Sequence, residues 1–505
     1  MRIFFLTVWV FILAGSAVAA VQPGSIFTDN MVLQREIKVP VWGAAAPGEK
    51  VRVQFAGQTV AAVAGTDGRW RTELAPLKIS AEPMELVISG ADSSITLTNV
   101  LVGEVWLCSG QSNMDFTMWM LKLSQEEISA ATNYPLLRLF KVKNQTMPEK
   151  PAESVEGRWT ESTAETAGGF SGVATYFGRA LCRDLGVPVG LIHCAWGGTP
   201  VEAWTSRESL GQITFMTNRL SEADEVRKNY STEEAQADLQ RRLAEWESKV
   251  AAGEKASRKP TLWSPYTDSW QPATLYNGMI APLVPFAMCG VIWYQGESNA
   301  GKFKEYHELF SSMIYGWREA WGQGDFPFLY VQLANYLPVQ TNPVQDSAVW
   351  AFLREAQTQT LDVPNAAMAI ITDVGDAANI HPKDKKTVGE RLALAARAKA
   401  YGEDIVYSGP VFKSLEIKDG NAVVCFSSVG GGLAARGEQL NGFAVAGADR
   451  QWHWAAAQIE GDTVILSSPE VPAPVAVRYN WANNPVGNLY NREGLPASLF
   501  RTDDW

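Results

Sequence analysis

A chain of 505 residues is too long for a single hydrophobic core, so we expect about two to four domains. Its hydrophobic content of 46% and charged content of 19% are typical of a soluble globular protein, and they exclude a disordered or membrane-embedded chain. The net charge of -11 argues against nucleic acid and anionic membranes as partners, because both require a basic face. The 19 tryptophans are many for this length, and their flat rings suit contact with sugars.

The first twenty residues have the pattern of a secretory signal peptide. Arg2 precedes an apolar run over residues 3–13, and the small residues at 17–20 form an Ala-x-Ala type of cleavage site. No later run is long enough to cross a bilayer, so we expect a secreted or periplasmic protein without membrane contact after signal removal. Of the five cysteines, only Cys182 and Cys194 lie close in sequence, and no spacing indicates a zinc site.

Three segments with different hydrophobic patterns follow. Residues 21–100 and 406–505 contain short alternating runs broken by turn residues, which predict two β-sandwich-like modules. Between them, residues 101–405 alternate apolar strands with helices, which predicts an α/β domain built on a mostly parallel sheet. A charged helical insertion is expected near 205–275. The strands of this middle domain are predicted at 102–107, 188–194, 289–294, 326–333 and 366–372.

The first strand of the middle domain ends at a serine. The apolar run Val-Trp-Leu-Cys (105–108) leads into Ser-Gly-Gln-Ser-Asn (109–113), after which the sequence becomes helical. A serine at a strand-to-helix turn exposes its hydroxyl and leaves its backbone N–H free, since the first amides of a helix lack internal partners. Ser112 is therefore a candidate nucleophile whose own amide helps to hold an oxyanion.

A serine nucleophile needs a base, and the chain contains only 4 histidines. His193 lies within an apolar strand, His307 on a polar helix face and His453 in the C-terminal β module. His381 follows the strand predicted at 366–372 and so lies at the carboxyl edge of the sheet, where sites gather in open α/β folds. Elimination makes His381 the candidate base.

Two further loops leave predicted strands at the same edge. Gly197 and Gly198 follow one strand, and glycines let backbone N–H groups approach a reacting carbonyl closely. The other loop contains Gln295 and Asn299, whose side-chain amides are candidate oxyanion donors, and Glu297, which is a candidate to orient an imidazole. The four loops together contain the parts of an acyl-transfer site.

Four motifs stand in order along the chain: Gly-Gln-Ser-Asn-Met (110–114), Trp-Gly-Gly-Thr-Pro-Val-Glu-Ala-Trp (196–204), Trp-Tyr-Gln-Gly-Glu-Ser-Asn (293–299) and Ile-His-Pro-Lys (380–383). Together they resemble the sialate O-acetylesterase family of the Ser-Gly-Asn-His hydrolase superfamily, and the similarity covers nearly the whole mature chain. The resemblance implies a three-layer α/β/α hydrolase domain flanked by β modules. It also implies that Ser112 is the nucleophile, His381 the base, and Gly197 or Gly198 an oxyanion donor.

The match departs from the superfamily pattern at two positions. The usual Asp three residues before the histidine is replaced by Ala378, and the usual Asn of the third motif is replaced by Ser298. Some carbohydrate esterases that share the Gln-Gly-Glu element use its glutamate as the acid, so this resemblance makes Glu297 the first candidate for the acidic member of the site and Asp376 the second. A Ser–His pair without a dedicated acid is a third arrangement. The candidate substrate contacts within the matched segments are Gln111, Asn113, Trp196, Glu202 and Arg354.

The sequence thus predicts a secreted carbohydrate O-acetylesterase with a Ser–His acyl-enzyme mechanism and with no metal or organic cofactor. The family resemblance favours O-acetyl esters of sialic acid as the substrate. An acetylesterase of plant polysaccharides such as acetylxylan or xyloglucan is the main alternative, because the same loops serve either substrate. A non-catalytic glycan-binding protein is a further alternative from another class. A lipase or thioesterase is disfavoured, because the loops are polar and rich in tryptophan.

Overall fold

The computed structural model describes residues 20–123, 125–255, 258–345 and 347–505. The predicted signal peptide, residues 1–20, lies outside the described residues except for its last position. Within the described ranges, no helix is long and apolar enough to span a bilayer. The five cysteines have free thiols, so Cys182 and Cys194 are not joined.

One long strand joins the N-terminal β module to the middle domain. The strands of the module are β1 (Gln22–Pro23), β2 (Val32–Gln34), β3 (Val39–Ala44), β4 (Lys50–Phe55), β5 (Gln58–Val63), β6 (Arg69–Leu74), β7 (Ser80–Ser89) and β8 (Ser94–Gly110). β8 pairs with β2 and β7 over its first part and with strands of the central sheet over its second part. The boundary expected after residue 100 therefore falls inside β8, and one hydrophobic core extends from Val21 to Ala396.

The central sheet has the strand order β10-β9-β11-β8-β12-β13-β14. Its remaining strands are β9 (Leu137–Lys141), β10 (Trp159–Glu161), β11 (Val189–Ala195), β12 (Gly290–Tyr294), β13 (Phe328–Val331) and β14 (Ala366–Ala369). All pairs along this path are parallel except β10 with β9, while the strands of the N-terminal module add antiparallel pairs. The predicted α/β class is confirmed, in the form of a large mixed sheet with additional β modules. β9 and β10 were not expected; both are short and carry charged residues.

Helices of the middle domain connect these strands and cover the sheet. They are α1 (Ser112–Asp115), α2 (Gln125–Ser129), α3 (Ala164–Gly168), α4 (Gly172–Leu185), α5 (Arg207–Gly211), α6 (Thr214–Lys228), α7 (Thr232–Ala251), α8 (Phe303–Trp321), α9 (Val349–Gln359) and α10 (Lys385–Lys399). α5, α6 and α7 occupy the region predicted as a helical insertion, and α7 buries none of its side chains. The insertion therefore contributes little to the core at α7.

The strand ends of the central sheet meet at one level. Gly110, the last residue of β8, is paired in register with Ala195 at the end of β11 and with Tyr294 at the end of β12. Because the three strands are parallel, the segments that follow them all leave from the same edge. The loop after β14 has to cross β13 and β12 to reach β8, since the order there is β8-β12-β13-β14. This edge carries the candidate site.

The C-terminal β module has its own hydrophobic core, separate from that of the rest of the chain. Its strands are β15 (Val411–Lys418), β16 (Asn421–Ser427), β17 (Leu433–Ala435), β18 (Phe443–Ala446), β19 (Trp452–Trp454), β20 (Ala456–Glu460), β21 (Thr463–Ser467), β22 (Ala476–Tyr479), β23 (Leu489–Asn491) and β24 (Phe500–Arg501). The β15–β16 hairpin turns at Asp419 and Gly420, both of which have positive φ angles. Arg354 of α9 donates hydrogen bonds to the backbone carbonyls of Ala482 and Asn483, which fastens this module to the middle domain.

Candidate active site

Ser112 is the first residue of α1 and follows the end of β8 by two positions. The sharp turn depends on Gly110, whose φ is +139° and where a Cβ atom would lie 2.2 Å from the carbonyl oxygen of Tyr294. A side chain at position 110 is therefore excluded both by conformation and by the neighbouring strand. The turn leaves Ser112 half-buried at the edge of the sheet.

The imidazole of His381 lies against this serine. Its Nε2 atom is 2.9 Å from Ser112 Oγ, which is within the reach required of a general base. The side chain of Asn379 accepts a hydrogen bond from the backbone N–H of His381 at 3.0 Å and so shapes the loop. The ring of His381 stacks on Phe116, with centroids 5.8 Å apart and planes inclined by 27°. Burial lowers the pKa of His381, and the nearby ammonium of Lys385 lowers it further.

Neither candidate carboxylate is bonded to this imidazole. Glu297 accepts a hydrogen bond from the side-chain amide of Asn113 instead. Asp376 lies exposed at the start of the loop and accepts from the backbone N–H of Ala378 at 2.9 Å. In the part of the chain that the structure describes, no Asp or Glu side chain forms a hydrogen bond with His381. The geometry corresponds to the third arrangement considered above, a Ser–His pair without a dedicated acid.

The glycine turn after β11 lies beside Ser112. A Cβ atom built on Gly197 would lie 3.3 Å from Ser112 Cβ, so the glycine loop passes directly beside the serine. The backbone N–H of Trp196 donates to the carbonyl of Gly110 at 3.1 Å and fixes this approach. Among the described residues, the amides of Ser112, Gly197 and Gly198 have no hydrogen-bond acceptor. They are therefore available to a ligand.

The two side-chain amides considered as oxyanion donors are occupied elsewhere. Gln295 is fully buried and donates to the carbonyl of Thr199 and to Asn299 Oδ1. Asn299 is also fully buried; its Nδ2 donates to Glu202 at 2.8 Å, and its Oδ1 accepts from the backbone N–H of Val201. The oxyanion role expected of Gln295 or Asn299 is not supported, because both amides form a buried connection between two loops.

Most of the expected substrate contacts are likewise buried. Asn113 and Arg354 are 0% exposed, Gln111 is 2% exposed and Glu202 is 5% exposed, so none of the four presents a surface to a substrate. Gln111 accepts hydrogen bonds from the backbone of the loop after β12, and Arg354 donates only to backbone carbonyls. The expectation is corrected for these four residues: their polar groups hold the loops together. Trp196 alone remains half-exposed beside the glycine turn.

Sequence reasoning missed two residues next to the site. Phe116 supports the imidazole ring, and Lys385 places its ammonium under the loop that carries His381. Lys385 is the first residue of α10 and is completely buried. The spacing of four residues between His381 and Lys385 was visible, but nothing in the sequence indicated that this lysine, in a run with Lys383 and Lys386, points inward.

A serine hydroxyl in contact with an imidazole at the carboxyl edge of an α/β sheet is the arrangement of an ester hydrolase. A family model described as carbohydrate esterase, sialic acid-specific acetylesterase, matches residues 102–234 and 263–398. The chain therefore belongs to the sialic acid-specific acetylesterase family of carbohydrate esterases, and it is an esterase.

Similar proteins agree with this assignment. The sialate O-acetylesterase of Rattus norvegicus is 32% identical, with 91% of this chain and 89% of the rat protein covered. The sialate O-acetylesterase of Homo sapiens is also 32% identical, with 78% and 74% covered. A solved carbohydrate acetylesterase from Xanthomonas citri is 37% identical and superimposes with a TM-score of 0.81, covering 96% of this chain and 100% of that one.

Proposed function

We propose that this protein removes acetyl groups from O-acetylated sugars through an acyl-enzyme on Ser112. The observation that carries the proposal is the 2.9 Å contact between Ser112 Oγ and His381 Nε2 at the edge of the sheet. The lowered pKa of His381, caused by burial and by Lys385, supports the role of this imidazole as a free base near neutral pH. Membership of the carbohydrate esterase family supports the sugar ester as the substrate.

The reaction proceeds in two halves. Ser112 Oγ attacks the acetyl carbonyl while His381 Nε2 takes the hydroxyl proton, and this proton passes to the departing sugar oxygen as the ester bond breaks. A water molecule then attacks the acetyl-serine, with His381 again accepting a proton, and acetate leaves as the serine regains its hydrogen. The amides of Ser112 and Gly197 are proposed to hold the oxyanion of each tetrahedral intermediate. A single donor of this kind typically contributes about 3 kcal/mol to transition-state stabilisation.

The same proposal includes a three-layer α/β/α arrangement of the middle domain. Trp106 of β8 contacts Phe177 of α4, with ring centroids 5.1 Å apart, and Trp293 of β12 contacts Trp317 of α8 at 5.9 Å. Trp293 is paired in register with Ser109 of β8, so the two side chains point to the same face of the sheet. Ser109 and Trp106 are an odd number of positions apart on β8, so Trp106 points to the other face. Because successive side chains of a strand point to opposite faces, α4 and α8 are inferred to cover opposite faces of the sheet.

A fluorophosphonate probe tests the nucleophile directly. The probe forms a phosphorus–oxygen bond with an activated serine and releases fluoride, so peptide mass spectrometry should locate the label on Ser112. We expect labelling to slow by at least about 100-fold in His381→Asn, because the base is lost. His307→Asn serves as a control, since His307 lies on α8 next to Asp362. Absence of label on Ser112 in the folded protein would support the non-catalytic glycan-binding alternative instead.

The substrate is proposed to be an O-acetyl ester of sialic acid, with acetylated plant polysaccharide as the alternative. The names of the rat and human relatives support the first, while the Xanthomonas citri relative is named only as a carbohydrate acetylesterase. Acetate release should be compared on O-acetylated sialic acids, acetylxylan and acetylated xyloglucan at equal ester concentration. We expect the highest kcat/KM on the sialic acid esters; a higher value on either polysaccharide would assign the alternative.

Export is proposed from the sequence of residues 1–20 alone. Expression of the chain with residues 1–20 retained should yield a protein outside the cytoplasm that starts near residue 20 or 21. N-terminal sequencing of the exported protein measures this. Recovery of the full chain with Met1 in the cytoplasm would contradict the proposal.

A further inference from the structure

A buried cation lies beneath the catalytic pair. Lys385 is 0% exposed, and its ammonium donates to Asn113 Oδ1 and lies 5.3 Å from the ring centroids of both Phe116 and Tyr294. Phe116 is the same ring that stacks on His381. A fully buried lysine is costly unless it is paired, so its retention here needs a compensating partner.

That partner is reached through Asn113. The amide nitrogen of Asn113 donates to Glu297 and also to the backbone carbonyl of Ile380, at 3.0 Å for the latter bond. The other carboxylate oxygen of Glu297 is buried and has no hydrogen-bond partner among the described residues. Lys385, Asn113 and Glu297 therefore form a buried chain that starts one residue after Ser112 and holds the residue immediately before His381.

The charge around His381 is set mainly by this lysine. Glu297 is bonded to Asn113, and Asp384 caps α10 by accepting from the backbone of Thr387. Asp115 on α1 is directed towards Lys141, at 3.9 Å, and has its pKa raised to about 6 by burial. On the loop of His381 itself, Asp376 is bonded to Ala378, and Lys383 is exposed.

We propose that Lys385 is a positioning residue of the esterase, which takes the place of the missing acid by fixing the loop of His381 through Asn113 and by setting the charge state of the imidazole. The inference rests on the proposed Ser112–His381 mechanism. A carboxylate beside an imidazole would favour its protonated form, whereas a cation favours the neutral form. The imidazole of His381 is thus kept neutral, and able to accept the proton of Ser112, at mildly acidic pH.

The charge of Lys385 determines the direction in which the pH profile should shift. Burial lowers the pKa of Lys385 to about 7, so the ammonium is charged below that pH, where the acidic limb of activity lies. Removing this charge removes one cause of the lowered pKa of His381. The acidic limb of the pH profile should then move to higher pH.

Lys385→Met tests the proposal through pH profiles of kcat and KM for 4-nitrophenyl acetate. We expect kcat to fall about tenfold with KM little changed, and the ratio of kcat/KM at pH 8 to that at pH 5 to rise by about threefold or more. Lys385→Arg, which keeps the charge, should have its acidic limb at the same pH as the parent protein. Lys386→Met is the matched control, because this neighbouring lysine is exposed.

An acidic limb that stays in place in Lys385→Met, or moves to lower pH, overturns the proposal. If this variant does not fold, the double variant Lys385→Met with Glu297→Gln removes both buried charges together and is judged by the same criterion. Activity in Ser112→Ala would instead refute the mechanism on which the inference rests. An inactive Ser112→Ala with an unshifted Lys385→Met would refute the positioning role alone.

Discussion

Replacing Ser112 by alanine is expected to reduce kcat/KM for 4-nitrophenyl acetate by roughly 10⁵- to 10⁶-fold. The hydroxyl oxygen is the atom that lies 2.9 Å from His381 Nε2, and no acyl-enzyme can form without it. The substitution removes one oxygen from a half-exposed side chain, so the fold should be unaffected. Acetate release and near-UV circular dichroism, measured on the same preparation, check both parts.

Ser221→Ala is the matched control for this variant. Ser221 lies on the exposed face of α6 and donates a hydrogen bond only to the backbone of its own helix. Its removal should leave kcat/KM within a factor of about two of the parent. Retention of more than about 1% of parental activity in folded Ser112→Ala would show that another residue is the nucleophile.

Replacing Arg354 by methionine is expected to destabilise the protein by about 3–5 kcal/mol. The guanidinium donates to the carbonyls of Leu333, Ala334, Ala482 and Asn483 at 2.8–2.9 Å, and it is 0% exposed. Methionine fills much of the space but donates nothing, so buried carbonyls of both the middle domain and the C-terminal module lose their donor. The thermal midpoint should fall by on the order of 10 °C.

The same variant separates a structural role of Arg354 from a substrate contact. In protein that remains folded at low temperature, we expect KM for the acetyl ester to be unchanged, because the side chain has no exposed surface. Arg241→Met is the control, since Arg241 lies on α7, where no residue is buried, and its loss should not move the midpoint. A large increase in KM with an unchanged thermal midpoint would show that Arg354 contacts the substrate.

Local patterns were sufficient for the class of fold and for the choice of the two residues proposed to react. Each of the five predicted strands of the middle domain overlaps an observed strand, since buried parallel strands are read from short apolar runs. Ser112 and His381 were identified because each follows such a strand. Their contact could not be calculated from the sequence, since it depends on a loop that crosses two strands to reach β8.

The residues around that contact show where sequence reasoning fails. Gln295, Asn299 and Arg354 carry groups suited to binding a ligand, yet all three are fully buried and bond to other parts of the chain. Glu297 stands in the expected loop, but its carboxylate accepts from Asn113 and not from His381. A motif specifies which polar group is present, whereas the packing of neighbouring loops decides whether that group faces the ligand or the interior.

The sequence by itself determined the three-segment pattern, the family and the presence of a serine and a histidine in segments that follow strands, because these depend on residue type and on short-range periodicity. Only the tertiary structure decided that, among the described residues, the imidazole has no carboxylate partner and that a lysine is buried beneath it. The physical reason is that the partners lie far apart in the chain: Asn113 is 184 residues from Glu297 and 272 residues from Lys385. Such contacts are set by the register of the parallel strands, which no local pattern encodes.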